Sequence, residues 1–389
     1  MKQLILMNRT HEVCLLEYDE NLHAITRVLE QLKDADHAPV GMLSEAGATA
    51  SKLRRWWGNR AIPESRPGLK DALNKLGLAS PQELAERNHG LSLSDQYWMR
   101  NPKSNIRWED INYFDNDFSD ETGRFFFSGR AAKPEETGAI DLNAPDNTSD
   151  GNLPKRWSII EGQRCLIKGG GFLNQEPYNE VIASDLYRRL LDEEAYVPYR
   201  LHDFDGVTCS LCTNMLTNSE EYVPAVYIDD LLPYKEGEEN LKHYLRSAAS
   251  LGVVGVEDQV NRILTCDYII ANFDRHYRNF GLIRNVETLV WRVAPLFDSG
   301  SSLWCNRRIL SSDSLDYSST PFIGSPLLQL QAVSDLSWFK PEKMEGFLSF
   351  AVSLLREGPL HNYGMRLITL EDALEERMDR VIRLLQSRI

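Results

Sequence analysis

The sequence predicts an α+β fold of two lobes with a small α/β unit in front of them, and three observations predict it. The chain has 389 residues, more than one hydrophobic core ordinarily serves. Apolar runs of strand length, broken by polar turns, are concentrated in the first 216 positions. From residue 217 onward apolar side chains recur mostly at helical spacing, most clearly at Leu370, Leu374, Met378, Val381 and Leu385. The expected domains are therefore 1–130 with a linker at its end, 131–216, and 217–389.

Composition narrows the class. Hydrophobic residues make up 42% and aromatic residues 10% of the chain, enough for packed cores. A net charge of −14 argues against a protein that holds nucleic acid through its overall field. No run of 18 apolar residues exists, and Met1-Lys2-Gln3-Leu4-Ile5-Leu6-Met7-Asn8 turns polar too soon for a signal peptide. A cytoplasmic protein without membrane attachment is expected. The six cysteines lie mostly among apolar neighbours. Cys209 and Cys212 form a Cys-x-x-Cys, but no second pair completes four zinc ligands, so buried strand thiols are expected.

In the first unit, Gln3 to Met7 and Glu12 to Leu16 are short apolar runs separated by Asn8-Arg9-Thr10-His11, a hairpin signal. A helix is expected at 24–32. The basic residues interleaved with tryptophans in Ser51-Lys52-Leu53-Arg54-Arg55-Trp56-Trp57 could touch nucleic acid or phosphates, but the favoured reading is an amphipathic helix with its tryptophans inside and its basic residues out. Leu69, Leu73 and Leu76 mark another. Ser80-Pro81-Gln82-Glu83 begins a third, with Ser as N-cap, Pro in the first turn and Glu at the capping-box position. Residues 110–147 are acidic and rich in Gly, Pro and Asn, without calcium-loop spacing; they predict a solvated linker that Phe125-Phe126-Phe127 anchors.

The second unit opens with Asn147-Thr148-Ser149-Asp150-Gly151-Asn152-Leu153-Pro154-Lys155, a polar turn whose amides could cradle phosphate with help from Lys155. Arg164-Cys165-Leu166-Ile167-Lys168 is a strand ending on a lysine. Such a lysine needs an anionic partner; phosphates and a helix carboxylate would provide one. Glu180, one turn into the helix that starts near Glu176, is the better candidate, with Glu176 as competitor. The strand at 207–215 leads to a connector, where a two-lobed kinase binds adenine. A final helix capped by Thr369 carries the Leu370–Leu385 stripe.

The chemistry gathers in Cys266-Asp267-Tyr268-Ile269-Ile270-Ala271-Asn272-Phe273-Asp274-Arg275-His276-Tyr277-Arg278-Asn279-Phe280-Gly281, followed by Val293-Ala294-Pro295-Leu296-Phe297-Asp298-Ser299-Gly300. An Asp, an Asn five residues later and a second Asp closing a strand suit phosphoryl transfer: one carboxylate orients the hydroxyl, the other two groups hold Mg²⁺.

Phe273-Asp274-Arg275-His276-Tyr277-Arg278-Asn279-Phe280 with Pro295-Leu296-Phe297-Asp298 resembles the HipA-type serine/threonine kinases, toxins of bacterial toxin–antitoxin pairs related in fold to phosphatidylinositol 3- and 4-kinases. Trp56-Trp57-Gly58-Asn59-Arg60-Ala61-Ile62-Pro63-Glu64-Ser65 is similar to that family's N-terminal domain. The resemblance implies a bilobal protein-kinase-like fold with a helical C-lobe, and ATP and Mg²⁺ as ligands. It implies that Asp274 is catalytic and that Asn279 and Asp298 bind the metal. ATP would meet Asp150, Gly151, Asn152, Lys155, Lys168, Glu180, Thr213, Asn214, Met215, His276, Asn279 and Asp298. Thr148 and Ser149 stand where the family autophosphorylates. The family's loop carries Gly-Ala-Gln before its lysine, whereas this chain has Gly151-Asn152-Leu153-Pro154-Lys155, and Thr213 replaces an acidic residue common at the adenine-binding connector. The implied partners are a protein substrate such as an aminoacyl-tRNA synthetase and a small DNA-binding antitoxin, so nucleic acid is met only through a partner. Competing readings are a phosphoinositide-type lipid kinase, disfavoured because no basic cluster suits a membrane surface, and a catalytically silent ATP-binding scaffold.

Overall fold

The computed structural model describes residues 1–42, 50–66, 69–128, 142–148, 151–311 and 315–388. Ser149 and Asp150 lie outside the described residues, as does 129–141 of the expected linker. The chain forms two compact units: Met1–Lys168 with Thr213–Val223 and Ile283–Val290, and Gly169–Cys212 with Pro224–Leu282 and Trp291–Ile389.

The first unit begins with β1 (Lys2–Asn8) and β2 (His11–Asp19), joined by a tight turn in which Arg9 has φ +49°. Leu4 faces Leu16 and Leu6 faces Cys14 across the pair. The expected helix at 24–32 is instead a strand, β3 (Ala24–Gln31), on the outer edge of β2. Tyr18 pairs with Ile25 and Leu16 with Val28, so pairing to a strand already in place outweighs the weak helical pattern. After α1 (Ala50–Gly58), α2 (Leu69–Leu76) and α3 (Pro81–Arg87), β4 (Tyr97–Arg100) closes the sheet in the order β3-β2-β1-β4. With β2 and β4 on its flanks, β1 is buried from Leu4 to Asn8.

Leu53, Trp56 and Trp57 of α1 are buried while Lys52, Arg54 and Arg55 are exposed, as the amphipathic pattern requires. Ser80 Oγ accepts the Glu83 N–H at 3.1 Å, and the Glu83 carboxylate takes the Ala79 N–H at 2.8 Å, a capping box displaced by one residue. The stretch expected as linker contains the end of α4 (Trp108–Ile111) and α5 (Glu121–Ser128). Aromatic side chains explain the difference: Tyr113 and Phe114 of the stretch are buried, as is Trp108 just before it, and Tyr113 Oη accepts from buried Asn88 at 2.8 Å. A hairpin of β5 (Lys155–Ile160) and β6 (Gln163–Lys168) completes this part of the unit.

In the second unit, α6 (Glu176–Leu190) precedes a hairpin of β7 (Arg200–Phe204) and β8 (Val207–Thr213). Along the chain then follow β9 (Glu220–Pro224), which up to Val223 belongs to the first unit, α7 (Ala225–Asp229), α8 (Asn240–Ala249), α9 (Val256–Ile269), β10 (Gly281–Asn285), which from Ile283 belongs to the first unit, β11 (Trp291–Val293), α10 (Pro326–Gln331), α11 (Phe347–Glu357) and α12 (Gly364–Gln386). The start of α12 lies before the expected cap. Thr369 sits inside the helix and donates to the Met365 carbonyl at 3.1 Å, while Leu370, Leu374 and Val381 are buried.

Chain segments from β9 and β10 return to the first unit. There Arg284 Nε donates to Glu221 at 2.7 Å, with Tyr97 and Asn8 bonded to the same carboxylate. Burial raises the Glu221 carboxyl above its ordinary value, and Arg284 opposes the rise. All six cysteines are buried, and none of them is in a disulfide. Among the described residues no helix is long and apolar enough to cross a membrane.

Candidate functional site

The polar cluster of the second unit starts at the C-terminal end of α9. Asp267 is 3% exposed on the buried face of that helix, which is an expensive place for a carboxylate without partners. It has three: Arg275 Nε at 2.8 Å, Arg275 Nη2 at 3.0 Å and Asn272 Nδ2 at 2.9 Å. The chain then leaves the helix through Ala271 at φ +51° and makes a compact loop. Asn272 Oδ1 accepts the Asp274 N–H at 3.0 Å, and the Asp274 carbonyl accepts both the His276 N–H at 2.8 Å and Asn279 Nδ2 at 3.0 Å. The five-residue interval between Asp274 and Asn279 thus has a structural meaning: the amide at its end closes the loop onto the carbonyl at its start.

Arg275 joins this loop to the second acidic segment. Its guanidinium is wholly buried and donates to the Asn279 carbonyl and to Ser299 Oγ at 2.8 Å each, and to the Phe297 carbonyl. Asp298 is therefore flanked on both sides by Arg275 contacts. The planar fork supplies donors in several fixed directions, which a lysine could not do. Asp267, within bonding distance, holds Arg275 in its charged form against the cost of burial.

Asp298 does not close a strand as expected. β11 ends at Val293, Leu296 makes an isolated bridge to Tyr196, and Asp298 follows at φ +55°. A left-handed backbone at a non-glycine residue is costly unless its surroundings enforce it. Helix α6 does so. Glu180 accepts the Ser299 N–H at 2.9 Å, Tyr187 Oη lies 2.7 Å from Ser299 Oγ, and Asn179 Nδ2 donates to the Gly300 and Ser302 carbonyls at 2.8 Å each. Glu176 Oε2 accepts the Gly171 N–H at 2.9 Å, fixing the glycine turn before the helix.

These contacts give Asp274 and Asp298 a shared environment. Burial raises the Asp274 carboxyl above its ordinary value; the Asp298 charge raises it further, whereas His276, the Ser301 hydroxyl and Arg275 oppose the rise. Two carboxylates that disfavour each other's charge suit a cation. The donor set fits Mg²⁺, a hard ion that prefers oxygen. Asn279 spends its amide nitrogen on the Asp274 carbonyl, which leaves its oxygen for a ligand. Among the described residues there is no cluster of three His, Cys, Asp or Glu side chains able to hold a metal. An Asn–Asp pair completed by phosphate oxygens is a different kind of site.

The remaining expected site residues belong to the first unit. Lys155 and Lys168 face each other across the β5–β6 hairpin, and Lys168 is 5% exposed. Like charges directly opposite one another are unfavourable in a sheet unless an anion lies close by. Gly151, at φ +89°, stands beside Lys155: a Cβ there would come within 2.5 Å of Lys155 Nζ. Asn152 Oδ1 accepts from Ser65 Oγ at 2.7 Å. Thr148 is buried, and its hydroxyl donates to the Leu91 carbonyl at 2.9 Å. Thr213 Oγ1 bonds Gln163 at 3.3 Å, the Asn214 N–H bonds the Arg164 carbonyl at 2.8 Å, and Met215 is half-buried. Thr213 and Asn214 are thus beside the start of β6, and Lys168 is at its end, about 13 Å away by strand rise.

The structure brings Asp274, Asn279 and Glu180 into one hydrogen-bonded network that also holds both neighbours of Asp298, with exposed His276 at its rim, and places Gly151 and Lys168 each beside Lys155. Sequence reasoning missed Asp267, Tyr187 and Asn179 and gave Arg275 no role. The available signal was polar residues placed on apolar helix faces: Asp267 within Cys266-Asp267-Tyr268-Ile269, and Asn179 within the buried stripe of α6.

No protein-family model and no curated protein matches the chain. Among solved structures, the chain is similar to one titled as a Helicobacter pylori proinflammatory kinase, CtkA, with a TM-score of 0.44 and 17% identity over 60% of this chain and 93% of that one. At that TM-score and identity the likeness establishes neither a shared fold nor a shared activity.

Proposed function

We propose that the chain is a HipA-like, ATP- and Mg²⁺-dependent serine/threonine protein kinase. One observation carries the reading: buried Arg275 ties the Asp274–Asn279 loop to the residues on both sides of Asp298. A brace of that kind is what a reaction governed by positioning and charge neutralisation requires.

In this reading Asp274 orients the acceptor hydroxyl and takes its proton, a role suited to a carboxyl whose pKa is raised. Asn279 and Asp298 present oxygens to the metal, and His276 borders them. When bound, Mg²⁺ supplies charge neutralisation at the transferring phosphate. Lys168 and Lys155 attract phosphate oxygens, with Asp150, Gly151 and Asn152 as the loop over them. Thr213, Asn214 and Met215 take the adenine. Glu180 holds the Ser299 amide and so keeps Asp298 in place. Protein substrate, toxin role, a DNA-binding antitoxin and modification at Thr148 or Ser149 belong to the same proposal and rest on the motif resemblance alone.

The test is incubation of the full chain with γ-labelled ATP and Mg²⁺, with and without candidate protein acceptors, beside Asp274→Ala. Transfer to protein that falls by about 10²-fold or more in the variant is expected. Binding of ATP without transfer would favour a silent scaffold, and label entering phosphoinositide vesicles would favour a lipid kinase.

A further inference from the structure

We propose that Arg66 is a positioning residue for the phosphate loop: its guanidinium pins the Gly151 carbonyl and thereby aims the next backbone amide at the bound phosphate. The inference rests on the kinase reading for its ligand, but on the first unit alone for its geometry. Arg66 is 4% exposed, and both its Nε and its Nη2 donate to the Gly151 oxygen, at 3.0 and 2.8 Å. Its own backbone is fixed by a turn, since its N–H bonds the Pro63 carbonyl at 2.9 Å and its carbonyl accepts from Leu69. The neighbouring Ser65 Oγ reaches Asn152 Oδ1 at 2.7 Å, so two consecutive side chains hold two consecutive loop residues.

Why this matters follows from peptide geometry. Gly151 has φ +89°, a conformation glycine enters at little cost and leaves as readily, so its peptide plane needs an external hold. In a trans peptide the carbonyl of one residue and the N–H of the next point in opposite directions. A charged fork on the Gly151 oxygen therefore directs the Asn152 N–H away from Arg66, and among the described residues no backbone acceptor takes that N–H. The Lys155 ammonium lies over Gly151 on the same turn. An aimed amide beside an ammonium forms an anion cradle. Buried Asp146, whose carboxylate accepts the Trp157 N–H at 2.9 Å, is near enough for Arg66's charge to act on it.

The experiment is hydrogen exchange on the nucleotide-free full chain, comparing wild type, Arg66→Ala, Arg66→Lys and Ser65→Ala, followed by steady-state kinetics in ATP. Arg66→Ala should speed exchange at residues 151–155 by about tenfold or more and leave peptides of the β1–β4 sheet unchanged. Arg66→Lys, which keeps the charge but cannot fork, should fall between, and Ser65→Ala should show a smaller effect of the same sign. KM for ATP should rise in the same order with kcat nearly constant. Wild-type exchange at 151–155 in Arg66→Ala overturns the proposal. If Arg66→Ala does not fold, Arg66→Lys decides: intermediate exchange supports the clamp and wild-type exchange overturns it. Faster exchange in a chain whose wild type binds no Mg·ATP sustains the clamp and overturns the kinase reading instead.

Discussion

Replacing Arg275 by methionine removes one charge and keeps most of the aliphatic volume. Five hydrogen bonds end on that guanidinium, two at Asp267 and one each at Asn279, Phe297 and Ser299. Arg275 is fully buried and Asp267 is 3% exposed, so the variant strands a carboxylate with one remaining side-chain donor, Asn272. Breaking a buried pair from one side costs about 3–5 kcal/mol. At about 2–4 °C per kcal/mol this lowers the melting temperature of the second unit by about 6–20 °C. The assay is thermal unfolding of the full chain followed by near-ultraviolet circular dichroism. The double variant Arg275→Met/Asp267→Leu should recover most of the stability, because both members of the buried pair are gone. It should not recover phosphoryl transfer, because the Asn279 and Phe297 carbonyls still lack their donor. A single variant that melts within about 2 °C of wild type, or a double variant with full transfer activity, would refute the bracing role.

Asp146 is buried deeply enough that its carboxyl is pushed up to about 7 from an ordinary 3.8, although Arg156 and Arg66 oppose the rise. The folded state then holds a proton that the unfolded state has lost, so stability declines as pH rises from about 4 to about 7, by at most about 4 kcal/mol. Denaturation midpoints across that range should show the slope, and Asp146→Asn should flatten it; an unchanged slope contradicts the assignment. In His276→Gln, Asp274 loses a charge that lowers its carboxyl, so the acid limb of kcat/KM moves to higher pH; a limb that stays or moves down contradicts this. Gly151→Ala forces a side chain into φ +89° and towards Lys155 Nζ, costing about 1–2 kcal/mol. KM for ATP should rise about 5- to 30-fold, and an unchanged KM would count against the loop's role.

How much of this was legible in the sequence differs from element to element. The β1–β2 hairpin, α1 with its buried tryptophans, the cap of α3 and the course of α6 follow from local periodicity and turn chemistry, and the sequence contains both. β3 was misread because an edge strand shows only partial alternation: Leu29 is exposed where the pattern invites a core residue. α4 and α5 were hidden by acidic composition, although Tyr113 and Phe114 in that stretch, and Trp108 just before it, were material for a core. Asp274, Asn279 and Asp298 stood out because their residue types and order carry chemistry. Arg275 and Asp267 did not, since a buried ion pair is defined by burial, and no single stretch shows which polar residue is turned inward. Arg66 was invisible for a further reason: its partner is a backbone carbonyl 85 residues away, which no side-chain pattern reports.

The central claim is that Asn279 and Asp298 hold a divalent cation beside Asp274. Electron paramagnetic resonance of Mn²⁺, substituted for Mg²⁺ and titrated into the full chain with ATP, measures it most directly. Wild type should bind Mn·ATP with an altered manganese spectrum, and Asp298→Asn and Asn279→Ala should each weaken that binding by about tenfold or more. Equal binding by all three chains would contradict the claim.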